Sequence, residues 1–216
     1  MSTMYSIGQM NQLGDALEVA GFTPDDVTEL RSFSRLGELK DVLKGLAEIV
    51  VVKPVQFEFK VFKTIKLGTG LKTADDFRKA LKGNRCVVSD RANDILGKLA
   101  FTAATEEIEV DLVKATVGEL GFKSGARRDQ IYDRARELGF KLCSPEVGPQ
   151  LRLQYKDQLN GERILIGMEP ITDSDGNLGV FSVGRVVSVL RLDVRYASPG
   201  VVWGSVARWV FVRPRK

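Results

Sequence analysis

The order of β-rich and helical runs in the second half of the chain constrains the fold more than any other feature. A β-rich run spans Ile108 to Val117, and two helical stretches follow it. The first opens at Ser124, carries Ile131, Tyr132, Ala135 and Leu138 on one face, and is closed by Gly139; the second, weaker one runs from Pro145 to Leu153. Four more β segments come next with no helix between them: Arg163 to Met168, Leu178 to Val183, Leu190 to Tyr196 and Trp209 to Arg213. Strands clustered at the end of a β-α-α-β-β-β-β order predict an α+β domain with a mainly antiparallel sheet and exclude a regular βαβ repeat.

The preceding residues divide into two parts. Residues 1–53 read as a helical module. Met10, Leu13, Leu17 and Val19 keep a helical rhythm up to Gly21, and Thr23-Pro24-Asp25-Asp26 restarts it with a cap, a first-turn proline and two acids at the positive end of the dipole. Leu36, Leu39, Val42, Leu43 and Leu46 mark a third amphipathic stretch. Residues 54–104 are mixed: Val55 to Lys63 alternates apolar and polar as a half-buried strand does, and Gly68-Thr69-Gly70 is a turn. Thr73-Ala74-Asp75-Asp76 opens a helix to about Leu81, and Ser89-Asp90 caps another over Ala92 to Leu99. No linker-like composition marks a boundary, and the main one is placed near residues 103–105, giving a third module over 105–216.

Composition removes several chemistries. The chain has 216 residues and no histidine, which excludes Ser-His-Asp and Cys-His nucleophile pairs, His-ligated metals and an imidazole base. Its two cysteines, Cys86 and Cys143, cannot complete a zinc site and resemble the sparse thiols of a reducing compartment. No segment approaches ~18 consecutive apolar residues, and Met1 to Met10 lacks the basic flank and apolar run of a secretory signal. The expectation is a cytoplasmic protein without a membrane span, metal or cofactor.

Individual motifs point to structure more than to chemistry. Gly68-Thr69-Gly70-Leu71-Lys72-Thr73 ends like a phosphate loop, but Leu71 and Lys66 occupy the places where that loop needs glycine. Asp173-Ser174-Asp175-Gly176-Asn177 resembles half of a calcium loop, yet Leu178 and Gly184 stand at its required Gly and Glu positions, so a hairpin turn is expected. Glu106, Glu107, Glu109 and Asp111 read as an acidic strand edge that discourages edge-to-edge pairing. Cys143 reads as a half-buried structural thiol.

The tail is distinctive. Val180–Lys216 holds seven basic residues (Arg185, Arg191, Arg195, Arg208, Arg213, Arg215 and Lys216) against Asp193 alone, a net +6 within a chain of +4, so residues 1–179 carry −2. It also holds eleven valines, several where a loop would ordinarily have Asn, Asp or Gly, as in Val186-Val187-Ser188-Val189, Val201-Val202 after Pro199-Gly200, and Gly204-Ser205-Val206-Ala207. The plainer explanation of those valines is a buried or oligomeric surface.

The run Leu190-Arg191-Leu192-Asp193-Val194-Arg195-Tyr196-Ala197-Ser198-Pro199, then Trp203, then Arg208 to Lys216, resembles the C-terminus of variable proteins diversified by retroelements. Ala20 to Thr28, Ala92 to Gly97 and Met168 to Gly176 resemble proteins of the same group, which is frequent in bacteria of reduced genome size. The resemblance implies a mechanism in which a reverse transcriptase copies a template repeat with errors at adenines and the copy replaces the 3′ end of the gene. Asparagine codons then become Val, Ser, Gly, Asp, Tyr, Ala, Leu or Arg but not Lys. It implies variability, hence ligand contact, at Val186, Val187, Ser188, Val189, Arg191, Asp193, Arg195, Tyr196, Gly200, Val201, Gly204, Val206 and Ala207. Leu190, Leu192, Ala197, Pro199, Trp203 and Trp209 would be the fixed frame. It further implies a C-type lectin-like domain over 105–216 that displays these residues to a protein or surface ligand. On this reading the chain is not an enzyme. The alternative is a nucleic-acid-binding module that uses the arginines of the tail, with Tyr196, Trp203 and Trp209 as stacking surfaces.

Overall fold

Side-chain caps start the two helices nearest the N-terminus. In the computed structural model, which describes residues 5–32, 44 and 58–215, helix α1 (Ile7–Val19) opens with a reciprocal box. Gln9 N donates to Ser6 Oγ at 3.2 Å, and Ser6 N donates to the Gln9 side chain at 2.9 Å. Helix α2 (Pro24–Ser32) repeats the device, with Asp26 N on Thr23 Oγ1 at 3.3 Å and Thr23 N on Asp26 at 2.7 Å. Both belong to one compact unit, Met1–Val55, and α1 leaves Ile7, Met10, Leu13 and Val19 exposed. The third amphipathic stretch, Leu36 to Leu46, and the expected strand start at Val55 lie outside the described residues.

The second unit is Gln56–Lys216. Its elements are β1 (Val61–Leu67), α3 (Ala74–Gly83), β2 (Val87–Val88), α4 (Asp90–Leu96), β3 (Ile108–Thr116), β4 (Ala126–Arg127), α5 (Arg128–Glu137) and α6 (Val147–Gln154), then β5 (Arg163–Ile166), β6 (Ile171–Thr172), β7 (Leu178–Val186), β8 (Val189–Tyr196), β9 (Val202–Trp203) and β10 (Arg208–Arg213). It is a mixed α+β unit. The large sheet runs β1-β3-β10-β5-β7-β8-β2, with β6 beside β7, and β4 pairs with β9 separately. All pairings in the large sheet are antiparallel except β10 with β5 and β8 with β2.

Alternation divides the sheet into two faces. Phe181 packs under α6, where a side chain at Gly148 would come within 2.7 Å of its ring, so the helix can approach only as glycine allows. Phe101 links Phe181 to Phe77 of α3 through edge-on contacts at 6.2 and 5.3 Å. On the opposite face Tyr132 of α5 stands edge-on to Trp209 at 5.7 Å and Phe211 at 6.1 Å, and its hydroxyl donates to Met168 O at 2.7 Å. Burial pushes that phenol well above its ordinary pKa. Fully buried Arg152 of α6 donates to Gly184 O at 3.0 Å, to the Gln158 side chain and to Tyr155 O, fastening the segment after α6 to β7.

Several expectations are corrected. The boundary near 103–105 runs through this unit rather than between units. β1 pairs with β3 along its length, β2 pairs with β8, and buried Glu146 accepts from Gly68 N at 2.8 Å, Ala104 N at 2.7 Å and Gln150 Nε2 at 2.9 Å. Ser124 does not cap α5. Residues 126–127 are taken by the β4–β9 pairing, so the helix starts at Arg128. The helix expected through Leu99 stops at Leu96, with Gly97 as its cap. The strand expected over Val55 to Lys63 begins instead at Val61, residues 58–60 lying outside it, and extends to Leu67 because β3 supplies partners from Val61 to Leu67.

Gly68 shows how tightly the two parts are joined. It holds φ 63°, and a Cβ there would lie 2.0 Å from Glu106 O. Gly68→Ala is therefore expected to destabilise the unit by about 2–4 kcal/mol through backbone strain and overpacking, read as a lower denaturation midpoint with an unchanged m-value.

Candidate ligand-binding site

The chain leaves β8 near one side of the sheet and must pass two strands, β7 and β5, to enter β10 between β3 and β5. Residues 197–207 make that crossing. Main-chain bonds hold them: Ala197 N to Leu178 O at 2.8 Å, Val201 N to Ser198 O at 3.0 Å, Gly118 N to Ser205 O at 2.8 Å and Val117 N to Ala207 O at 3.0 Å. The β4–β9 pairing joins Ala126 and Arg127 to Trp203 and Val202. Gly125, at φ 90°, lies where a Cβ would sit 2.7 Å from Trp203 O, so only glycine permits the approach. Arg128 Nη1 adds one side-chain bond, to Ala197 O at 2.8 Å.

Between the crossing and β5 lies a cavity of about 560 Å³. Gly161, Arg163 and Leu165 come from β5 and its approach, Arg195 and Tyr196 from the end of β8, Val201, Trp203, Val206 and Ala207 from the crossing, and Arg208 from the start of β10. The Arg91 guanidinium lies 4.0 Å over the Tyr196 ring, a cation–π contact that orients it. Trp203 packs edge-on against Trp209 at 5.1 Å, and its indole N–H is buried with no partner among the described residues. A second hollow of about 460 Å³ adjoins, lined by Ser89, Asp90, Arg91, Arg163, Arg191, Asp193, Val194 and Arg195. Arg163 and Arg195 belong to both. Arg191 pairs with Asp193 at 3.3 Å, whereas Arg163, Arg195 and Arg208 form no ion pair among the described residues.

Of the thirteen candidate contact residues, Arg191, Asp193, Arg195, Tyr196, Val201, Val206 and Ala207 line these two hollows. Val186, Val187, Ser188 and Val189 sit instead at the β7–β8 hairpin tip, and Gly200 and Gly204 lie in the crossing without lining either hollow. None of the thirteen is buried. Of the candidate frame, Leu192, Ala197 and Trp209 are buried, Leu190 and Trp203 half-buried, and Pro199 exposed. Gly161, Arg163, Leu165 and Arg91 carry no signal of the site in the sequence, and Ser89 and Asp90 read there only as a helix cap. Arg208 is one of the tail arginines counted by charge, but no local pattern marks Arg163, which enters only because β5 lies under the crossing.

The other chemical candidates resolve into structure. Residues 173–177 form the β6–β7 hairpin turn, with Asp173 Oδ1 accepting from Asp175 N at 3.0 Å and Asn177 N at 2.8 Å. Among the described residues no group of three or more His, Cys, Asp or Glu is placed to hold a metal ion. The Gly68–Thr73 segment leads into α3, whose N-cap Thr73 accepts from Asp76 N at 3.2 Å. Cys143 is fully rather than half buried, and burial pushes its thiol well above the ordinary value. The acidic edge is also corrected: β3 is an inner strand between β1 and β10, and of the four acids Glu107, just before it, and Glu109 and Asp111 within it are ion-paired. Glu107 meets Lys66 at 2.7 Å, while Arg215 meets Asp111 at 2.9 Å and Glu109 at 3.2 Å.

Comparison with protein-family models, with curated proteins and with solved structures finds no match for this chain. No helix among the described residues is long and apolar enough to cross a membrane.

Two outcomes are expected. Val187 and Ser188 form a two-residue hairpin turn in which Val187 takes φ 56°, a left-handed conformation unfavourable for a β-branched residue. Val187→Gly should raise stability by about 1 kcal/mol, measured by chemical denaturation. Arg215, together with Thr64 Oγ1, draws Asp111 down to a pKa of about 2. A carboxyl held below its unfolded value, about 3.9, contributes stability that is complete above roughly pH 5 and fades as pH falls through its folded value. Asp111→Asn should thus flatten the acid limb, losing less stability between about pH 5 and pH 2 than the wild type does.

Proposed function

We propose that the chain is a non-enzymatic ligand-binding protein of the retroelement-diversified kind, whose unit Gln56–Lys216 is a C-type lectin-like display domain. The observation that carries this reading is the separation of roles along the tail. All thirteen positions expected to vary lie outside the buried core, whereas Leu192, Ala197 and Trp209 of the expected frame have no accessible surface. Exposed substitutions away from caps and buried networks change stability by only about ±0.5 kcal/mol, so a library of sequences can share this backbone. The crossing suits the same use, because its main-chain bonds persist whatever side chains it carries. Val187 at φ 56° is what a position chosen without regard to local conformation looks like. The element order β3-α5-α6-β5-β7-β8-β10, with the short β4, β6 and β9 added, is compatible with a lectin-like domain.

The nucleic-acid alternative draws less support from the tail. Arg215 is engaged by Asp111 and Glu109, Arg213 donates to Phe59 O, Arg185 donates to Gln158 O and Arg191 pairs with Asp193. A phosphate backbone is bound by many uncommitted cations acting together.

The reading is tested in the DNA around the gene. A near-copy of codons 186–207 close to a reverse-transcriptase gene, with mismatches confined to template adenines, is the expected finding. Mismatches spread over all four bases, or no such copy, would overturn it.

A further inference from the structure

We infer that the cavity beneath the crossing takes a small amphipathic anion, with its apolar body in the pocket and its anionic group on Arg163 and Arg195. The inference rests on reading this face as a ligand-binding surface, and not on how the gene varies. The cavity has two chemically unequal sides. Leu165, Val201 and Val206 supply aliphatic wall and Trp203 an aromatic one, within a volume typical of small-molecule sites. Arg163 and Arg195 line both this cavity and the polar hollow, and Arg208 lines this cavity alone.

Charge balance selects the ligand. Three arginines line one cavity whose own lining holds no carboxylate, and none of the three is ion-paired among the described residues; the carboxylates of the adjoining hollow are Asp90 and Asp193, the latter held by Arg191. Elsewhere in the unit Arg78 meets Asp75, Arg134 meets Glu137 and Arg191 meets Asp193, while Arg128, Arg152, Arg185 and Arg213 donate to main-chain carbonyls. Like charges gathered without a counter-ion repel, and an anion placed among them gains charge-assisted, bidentate hydrogen bonds. A bare anion would leave the apolar wall wet, and a neutral apolar ligand would leave the arginines facing one another. A molecule with both parts uses both sides at once.

The test is a calorimetric titration of the full chain with 1-naphthyl phosphate, 1-naphthol and inorganic phosphate. Naphthyl phosphate is expected to bind at least tenfold more tightly than either fragment. Arg163→Gln and Arg195→Gln should each weaken it about tenfold, and Val206→Asp, which sets a negative charge on the apolar wall, should abolish it. Arg136→Gln, the same loss of charge on the exposed side of α5, should bind as the wild type does, and circular dichroism of every variant verifies that it folds. Naphthol binding equally well reveals a merely apolar patch and overturns the inference. So does phosphate binding equally well, full affinity in the folded arginine variants, or no binding of naphthyl phosphate at all. Each of those results leaves the template comparison at adenines untouched, so failure here and failure of the display reading are distinguishable.

Discussion

The parallel pairing of β10 with β5 forces the chain leaving β8 to pass over β7 and β5 before it can enter the sheet. An antiparallel hairpin would have placed the last strand beside β8 with a short turn, and no cavity would exist. Because the last strand instead lies between β3 and β5, residues 197–207 become a strap across one face, and the space under the strap is the candidate site. The strap needs anchors of its own. It finds them in β4, in the turn after β3 and in Gly125, whose missing side chain lets the Trp203 carbonyl come close.

The two faces of the sheet serve different ends. Under α6 the packing is aromatic and closed, with Phe181, Phe101 and Phe77 in edge-on contact. Removing such a side chain costs about 3–5 kcal/mol. On the other face α5 covers Trp209 and Phe211, while the strands beside them carry Arg163, Arg191, Asp193 and Arg195 into the open. Variation is cheap there and expensive on the closed face. A binding surface that tolerates many sequences is therefore compatible with a rigid frame, provided that Leu192, Ala197 and Trp209 remain.

Local chemistry was legible where its signal is local. The caps at Thr23, Thr73 and Ser89, the long strands β3, β7, β8 and β10, and the Asp173–Asn177 turn all follow from capping geometry and period-two alternation within a few residues. Signals that depend on distant partners were misread or missed. The acids of β3 look like an edge until Lys66 and Arg215 arrive from elsewhere in the chain to pair them. Ser124 looks like a cap until Val202 and Trp203 claim the next residues for a strand. Arg163 carries no local mark at all, because it gains meaning only from the strap laid over it.

By itself the sequence determined the α+β class, the order of the main elements from β3 onward, and the odd mixture of Val and Arg in the tail that singles out the candidate surface. Those are properties of periodicity, capping and composition, which act between near neighbours. Only the tertiary structure decided that β1 and β2, from residues 58–104, share a sheet with the rest, that the tail's residues divide between a hairpin tip and a strap, and that Arg163 and Arg195 line one cavity. These depend on which strands pair, and β-pairing joins residues that no local pattern relates.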